Sequence, residues 1–405
     1  MKLSTKILIG LILGIIAGLL LSSATGFIKT WIQPFGTLFL NLIKMVIVPL
    51  VLASLVVGAA SVGDVKKLGR IGGKTISYYL VTTALAVTIG LILANLLDPG
   101  FNMKLPADAK YAGKEAPPLS QVLLNIFPTN PVDSMVRADM LQIIVFALFL
   151  GIGITLIGER AKPVYNFFDG LAEVMYKITG VIMEFAPIGV FALITPVVAV
   201  NGPKVLIPLA KVIAAVYIGC LLHAAVVYST AVRTLGNMNP LKFFQGFSPA
   251  MLIAFTTCSS SATLPVSMKS VEENLGVDKD VASFVLPLGA TINMDGTAIY
   301  QGVCAVFVAQ VYGMDLTLGQ QLTVILTGTL ASIGAAGVPG AGLIMLTMVL
   351  QSVNLPLEGI ALIAGIDRIL DMARTTINVT GDASAAVIVD YSEKKRVAKS
   401  GSMVV

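Results

Sequence analysis

Charge is what this chain has least of. Of its 405 residues only 12% are Asp, Glu, Lys or Arg, against 56% hydrophobic ones, whereas soluble domains carry about 25% charged residues. So small a share cannot clothe an ordinary water-facing surface, and a mean hydropathy of +0.90 points to lipid as the main solvent. Cysteine occurs three times, histidine and tryptophan once each. Cys220, Cys258 and Cys304 lie in apolar or small-residue stretches without paired spacing, so they indicate neither a disulfide framework nor a metal cluster. His223, within GCLLHAAVVY, reads as a helix-packing or interface residue rather than a proton carrier. Trp31, at a span's outer end, reads as an interface anchor.

Long charge-free runs fill the place of the missing charge. Residues 7–28, 45–63, 75–97, 141–158 and 212–232 contain no Asp, Glu, Lys or Arg, and each is near the roughly 20 residues that cross a hydrocarbon core. The first run is longer than the roughly 7–15 apolar residues of a signal peptide and further spans follow, so it reads as a first membrane helix. The net charge of +5 does not imply nucleic acid, because the basic residues alternate with the spans. Lys2 and Lys6 precede the first span, Lys66, Lys67, Arg70 and Lys74 follow the second, Arg160 and Lys162 follow the fourth, and Lys394, Lys395, Arg396 and Lys399 lie near the end. By the positive-inside rule these ends and both termini are cytoplasmic, in a plasma (inner) membrane, and the segment from Asp98 to Val136 lies outside. Six spans are predicted near 5–27, 36–63, 74–97, 138–158, 166–199 and 206–234. The fifth carries Glu173 and Lys177, so part of it should lie at the interface or inside protein.

After Arg233 the texture changes. Residues 243–268 are free of charge until the end but broken by CSSSATLP, and residues 316–357 are charge-free but broken by ASIGAAGVPGAG. Gly and Pro at membrane depth expose backbone groups that lipid cannot satisfy, so such breaks must be buried in protein or line a wet cavity. Two helical hairpins that enter the membrane and turn back fit both segments. Each is followed by a helix with a polar interruption, PLGATINMDGTAIYQG after the first and DRILDMARTTINVTGD after the second. Paired interrupted segments of this kind mark an inverted repeat with a midplane binding site. The fold class predicted is therefore an all-α polytopic membrane protein with eight transmembrane helices and two re-entrant helical hairpins in inverted repeats.

Asp367, Asp371, Arg374, Asn378 and Asp382 are spaced four, three, four and four apart, which places them along one face of a helix. Ionised groups at mid-bilayer cost at least about 2.5 kcal/mol each, so this stripe must face protein, water, ions or a charged solute. An internal salt-bridge ladder, Asp371 with Arg374 and Asp367 beside Arg368, accounts for two acids but leaves Asp382 unpaired. A zwitterionic amino acid with an acidic side chain accounts for the mixture. Arg374 offers a planar fork to the side-chain carboxylate, Asp371 pairs with the α-ammonium, and SSSATLP supplies hydroxyl and backbone donors at a half-helix tip. Asp382, and Asp295 of NMDGT, which lacks a nearby base, suit a hard cation such as sodium.

The motifs SSSATLP, NMDGT, SIGAAGVPGAG and DMARTTINVTGD, in this order and on this hydropathy profile, resemble the glutamate transporter family of sodium-coupled dicarboxylate and amino-acid symporters over nearly the whole chain. The resemblance implies a homotrimer of elevator-type transporters. Residues 1–72 (first two spans) and 101–204 (outer loop, fourth and fifth spans) would form the scaffold. Residues 73–100 (third span) and 205–405 (sixth span, hairpins, seventh and eighth spans, tail) would form the transport domain. It implies that Arg374 holds the side-chain carboxylate of the substrate and Asp371 its amino group, with Ser260, Ser261, Thr297, Val338, Gly342, Thr375 and Asn378 around it. One sodium site would use Asp382 with backbone of Gly289, Asn293 and Asn378, and another backbone of Thr291, Ser332, Ile333 and Ala335. A third would join Asp295 and Asn293 to Tyr79, Thr82 and Thr83. The chain departs from the family at two places: Cys258 stands where archaeal members carry an arginine, and Met372 where eukaryotic members do. Arg368, one turn before Met372, has no role implied for it.

These residues predict a secondary symporter that couples inward sodium flux to uptake of L-aspartate or L-glutamate, with no nucleic-acid partner and no catalytic residues. A proton-coupled glutamate/aspartate or C4-dicarboxylate symporter is the alternative. Asp371 argues against plain dicarboxylates, which have no ammonium to pair, and Asp382 favours sodium over protons. An intramembrane aspartyl protease built on Asp295 and Asp371 is disfavoured by the adjacent Arg374 and by the lack of a GxGD pattern.

Overall fold

Glycine spacing decides how the first helices meet. In the computed structural model, which describes residues 3–60, 68–100, 124, 127–202, 206–333 and 340–401, helix α1 (Leu3–Leu20) packs along α7 (Ala186–Asn201). Gly10, Gly14 and Gly18 recur every fourth residue on the facing side, where a Cβ would strike the backbone of Pro187, Phe191 and Thr195. With no hydrophobic force between helices in lipid, such close backbone approach is the main source of attraction. Helix α2 (Gln33–Ala60, continued backwards through a π turn at Ile28–Ile32) packs on α5 (Met140–Ile157), α6 (Lys162–Glu184) and α7.

The second group is organised around two helices. Helix α3 (Leu68–Leu97) lies against α12 (Asp295–Val311), α13 (Leu318–Ser332) and α8 (Leu206–Thr234). Its Gly90 sits against Ile299, and Gly302 of α12 against Val87 and Leu91. Helix α16 (Asp367–Gly401) packs on α9 (Pro240–Thr257), α11 (Lys279–Ile292) and α12. Between the groups, α14 (Ala341–Ser352) meets α2 and α5, and the short α15 (Ile360–Ala364) meets α7. A short α4 (Pro131–Arg137) caps α5.

Every described element is helical, with no strand among the described residues. Arg70–Leu97 and Leu206–Thr234 are each long and apolar enough to cross a bilayer alone, as is the stretch Gln142–Ile182. The predicted fifth span is not one helix: α6 and α7 part at Phe185, just before Pro187 at the start of α7, because proline lacks the N–H a continuing helix needs. Asp169, Glu173 and Lys177 all fall in α6, where Glu173 and Lys177 are exposed.

Both predicted hairpins contain a pair of adjoining helices. In the first, α9 ends at Cys258, which takes a left-handed conformation (φ 54°), and α10 (Ser260–Lys269) begins at once. The Ser259 side chain accepts from Ala262 N at 3.1 Å, a helix N-cap. The chain thus turns at Cys258 and Ser259, while Pro265 lies within α10. In the second, α13 and α14 pack on each other, and the residues joining them, 334–339, lie outside the described residues. Helices α11 and α12 part at Asn293 and Met294, within NMDGT, so that Asp295 opens a helix N-terminus that favours its negative charge.

Candidate functional site

The polar stripe of α16 is buried along its whole length. Asp367, Asp371, Arg374, Asn378 and Asp382 are all 7% exposed or less, and the elements around them supply the partners that lipid could not. Arg374 is fully buried. Its Nη1 donates to Asp367 Oδ1 at 2.9 Å, its Nη2 lies 2.8 Å from Asp371 Oδ1, and its guanidinium carbon stands 4.1 Å above the Tyr300 ring. That Nη2 contact is an ion pair, which leaves Nε as a buried donor without a hydrogen-bond partner. Asp367 therefore pairs with Arg374 and not with Arg368 as the salt-bridge ladder supposed. Neighbours in a helix diverge, whereas positions seven apart share a face. Arg368 turns to hairpin 1, its Nη2 donating to the Thr257 carbonyl at 3.2 Å.

Next to this cluster runs a narrow cleft with room for little more than a water molecule. Hairpin 1 lines it with Cys258 and Ser260, α12 and the residue before it with Thr297 and Met294, α14 with Ala341, Gly342 and Met345, and α16 with Asp371, Thr375 and Asn378. A Cβ on Gly342 would lie 2.6 Å from Arg374 Nη1, so glycine there lets the hairpin backbone reach the guanidinium. Asp371 accepts from Gly340 N at 3.4 Å and from the Thr375 hydroxyl at 3.4 Å. Asn378 Oδ1 accepts from Gly296 N at 2.8 Å and Thr297 N at 3.4 Å, and its Nδ2 donates to Thr297 Oγ1 at 3.3 Å. Of the predicted substrate residues, Ser260, Thr297, Gly342, Asp371, Thr375 and Asn378 are brought together on the cleft with Arg374 beside it. Ser261 is exposed and off the cleft, and Val338 lies outside the described residues.

The predicted cation residues gather one layer further along α16. Asn293 Nδ2 donates to Asp382 Oδ1 at 2.9 Å and to the Asn378 carbonyl at 3.0 Å, so the asparagines of the two interrupted helices meet. A Cβ on Gly289 would lie 2.5 Å from the Tyr79 hydroxyl and would also strike Asp382 Oδ1. The Asn293 side-chain oxygen, Oδ1, is buried without a donor, as an oxygen aimed at a cation would be. Thr83 donates to Asp295 Oδ1 at 2.6 Å. Tyr79 donates instead to the Val285 carbonyl at 3.2 Å and Thr82 to the Tyr79 carbonyl of its own helix at 3.2 Å. Thr291 and Ser332 likewise bond back to their own helices, at Leu288 and Thr329. Ile333 is buried, and Ala335 lies outside the described residues. Among the described residues no three acid, thiol or imidazole groups converge.

Sequence reasoning did not find Asp367 as the partner of Arg374, nor Tyr300 beneath the guanidinium, nor His223 and Tyr228 beside Asp295. The spacing of seven carried the first; no local signal carried the others, which come from separate helices.

Known proteins resemble this chain over nearly its whole length. The sequence profile of the sodium:dicarboxylate symporter family matches residues 3–392. A proton/sodium-glutamate symport protein of Geobacillus stearothermophilus is 42% identical over 97% of this chain and 96% of its own. A proton/glutamate-aspartate symporter of Escherichia coli is 38% identical over 97% of this chain and 93% of its own. A C4-dicarboxylate transport protein of Bacillus subtilis is 36% identical over 97% and 94%.

Proposed function

Since the chain belongs to the sodium:dicarboxylate symporter family, whose members are transporters and not enzymes, we propose that it takes up L-aspartate or L-glutamate together with sodium by alternating access. The observation that carries this reading is the Arg374–Asp371 pair, a buried cation and a buried anion side by side on one cleft. A fully buried guanidinium whose Nε lacks a hydrogen-bond partner has an edge for a further carboxylate, beside those of Asp367 and Asp371, in planar geometry. Asp371, 3.4 Å from its nearest backbone donor, has capacity left for an ammonium. The substrate's α-carboxylate would meet the first turn of α10 at Ser260 and Ser261, where helix N–H groups are free of intrahelical partners.

Sodium is the reading best supported for the co-transported ion. Asp382 and Asp295 have no Lys or Arg partner among the described residues, and the Asn293 side-chain Oδ1 faces no donor. The backbone sites at Gly289, Thr291, Ser332, Ile333 and Ala335 are part of the same proposal. A proton-coupled carrier is the second reading, favoured by relatives named as proton/sodium-glutamate and proton/glutamate-aspartate symporters. The packing of α1, α2 and α5–α7 into one group and of α3, α8–α13 and α16 into another, with α14 and α15 between them, supports a scaffold (1–72, 101–204) and a mobile transport domain (73–100, 205–405). The arrangement proposed is eight spans and two re-entrant hairpins in an elevator, assembled as a homotrimer in the plasma membrane with both termini cytoplasmic.

Uptake of labelled aspartate into proteoliposomes, with a sodium gradient, with a proton gradient and with neither, is the direct test. Accumulation driven by sodium and competed by glutamate but not by succinate is expected. Accumulation that follows the proton gradient alone sinks the sodium assignment, and equal competition by succinate sinks the ammonium role of Asp371. Asp382→Asn is expected to raise the sodium concentration for half-maximal uptake by tenfold or more, on the order of one lost ligand charge.

A further inference from the structure

His223 is fully buried and lies where α8 loosens into a π turn spanning His223–Tyr228. Its Nε2 stands 3.2 Å from Asp295 Oδ2. The Tyr228 hydroxyl stands 2.8 Å from the same oxygen, with the Ile377 carbonyl at 3.1 Å as its other neighbour. The two rings meet edge to face, their centroids 4.7 Å apart. In a regular α-helix, positions five apart diverge by about 140°, so these two side chains could not serve one carboxylate oxygen. The π turn, with its i to i+5 spacing, is what brings both to Oδ2. His223 Nδ1 has no partner. A buried N–H without an acceptor costs more than a bare ring nitrogen without a donor, which places the ring proton on Nε2, facing the carboxylate.

The other carboxylate oxygen belongs to a different helix. Asp295 Oδ1 accepts from Thr83 of α3 at 2.6 Å. Resting on the reading of Asp295 as a cation ligand, we propose that His223 and Tyr228 are positioning residues for cation binding. Their two donors saturate Oδ2, fix the plane of the carboxylate, and present Oδ1 alone to a monovalent cation between α3 and α12. Outer partners of a ligating carboxylate hold its orientation, and their removal commonly weakens a metal site by roughly 10–100-fold.

The test measures, on the full-length protein, the sodium concentration for half-maximal aspartate uptake in proteoliposomes and the sodium dissociation constant in detergent without substrate. His223→Leu, which fills the space without a donor, is expected to raise both by roughly tenfold or more, with the rate at saturating sodium largely kept. His223→Gln, whose amide can still donate, is expected to restore the wild-type sodium dependence. Tyr228→Phe removes the other donor with little change of volume and is expected to shift sodium dependence in the same direction, so the proposal stands or falls on it if His223→Leu does not fold. A packing role predicts the opposite order, with Leu tolerated better than Gln. Unchanged sodium dependence in folded His223→Leu or Tyr228→Phe overturns the proposal, as does a Gln variant no better than Leu. Asp295→Asn, run alongside, separates the two levels. If it leaves sodium dependence unchanged, the cation reading of Asp295 falls and the positioning role with it. If it alters sodium dependence while His223→Leu does not, only the positioning role falls.

Discussion

Arg374 sits where a lipid-facing arginine would be intolerable, and three side chains make it tolerable: Asp367, Asp371 and the Tyr300 ring. Removing one member of such a buried pair leaves uncompensated charge and costs about 3–5 kcal/mol, so Arg374→Ala is expected to lose stability as well as substrate. Arg374→Lys is the cleaner variant, since it keeps a cation for Asp367 and Asp371 but gives up the planar fork. It is expected to bind aspartate at least about 30-fold more weakly at saturating sodium, corresponding to 2 kcal/mol or more for a buried charge-assisted pair. Equilibrium binding of labelled aspartate checks this, and near-wild-type affinity in the lysine variant refutes bidentate recognition. The stripe that holds Arg374 was legible because helical periodicity is local: Asp371, Arg374, Asn378 and Asp382 needed nothing beyond their spacing. The partner of Arg368 was not legible, because the Thr257 carbonyl lies 111 residues away in sequence and carbonyls leave no mark on composition.

Hairpin 1 shows the same limit at the scale of elements. The small hydroxyl residues that break its apolar run did not say which of them turns the chain; the turn falls at Cys258 and Ser259, where a left-handed residue is followed by a serine cap. The end of α9 leaves carbonyls without intrahelical donors, and Arg368 serves one of them at Thr257. A cation at a helix C-terminus contributes about 0.3–1 kcal/mol at the surface and up to about 2 kcal/mol when partly buried. Arg368→Ala is therefore expected to loosen the tip of hairpin 1, with amide exchange around residues 255–260 faster by roughly 5–30-fold for 1–2 kcal/mol. Mass spectrometry of hydrogen exchange reads this directly, and unchanged protection there removes Arg368 from the hairpin's support. The division of the fifth predicted span into α6 and α7 was half legible. Glu173 and Lys177 marked its first half as the more polar one, but whether Pro187 kinks a helix or ends it depends on what packs against the junction.

At the scale of the whole molecule, α3 and α16 are tied at their charged ends, where Glu393 pairs with Arg70 and Lys74. The Arg70 guanidinium, and after it the Lys74 ammonium, hold the Glu393 carboxyl down to about 2 from an ordinary 4.5. Folding favours the ionised form, so this contribution is complete above about pH 4.5 and disappears as pH falls towards 2. In thermal unfolding, Glu393→Gln is expected to be less stable than the wild type near neutral pH, by a modest amount because the Arg70 and Lys74 side chains remain 36% exposed, and the gap should close in that acid window. A gap independent of pH would mean that packing, not charge, joins the two helices. The larger motion proposed for the molecule needs contacts that are broken and remade between the two packing groups. One such contact is explicit: a Cβ on Gly365, just after α15, would lie 2.7 Å from Leu11 of α1 and 3.4 Å from Val190 of α7. Cysteines at Leu11 and Gly365, joined by a short bifunctional reagent, would fasten one group to the other at that point. The native cysteines are buried and so shielded from the reagent. If transport requires one group to slide past the other, cross-linked protein is expected to lose uptake while retaining aspartate binding in detergent, and cleavage of the link should restore it. Full uptake by fully cross-linked protein would confine the transport cycle to the hairpins around the Arg374 cleft, with α15 and α1 fixed to each other throughout.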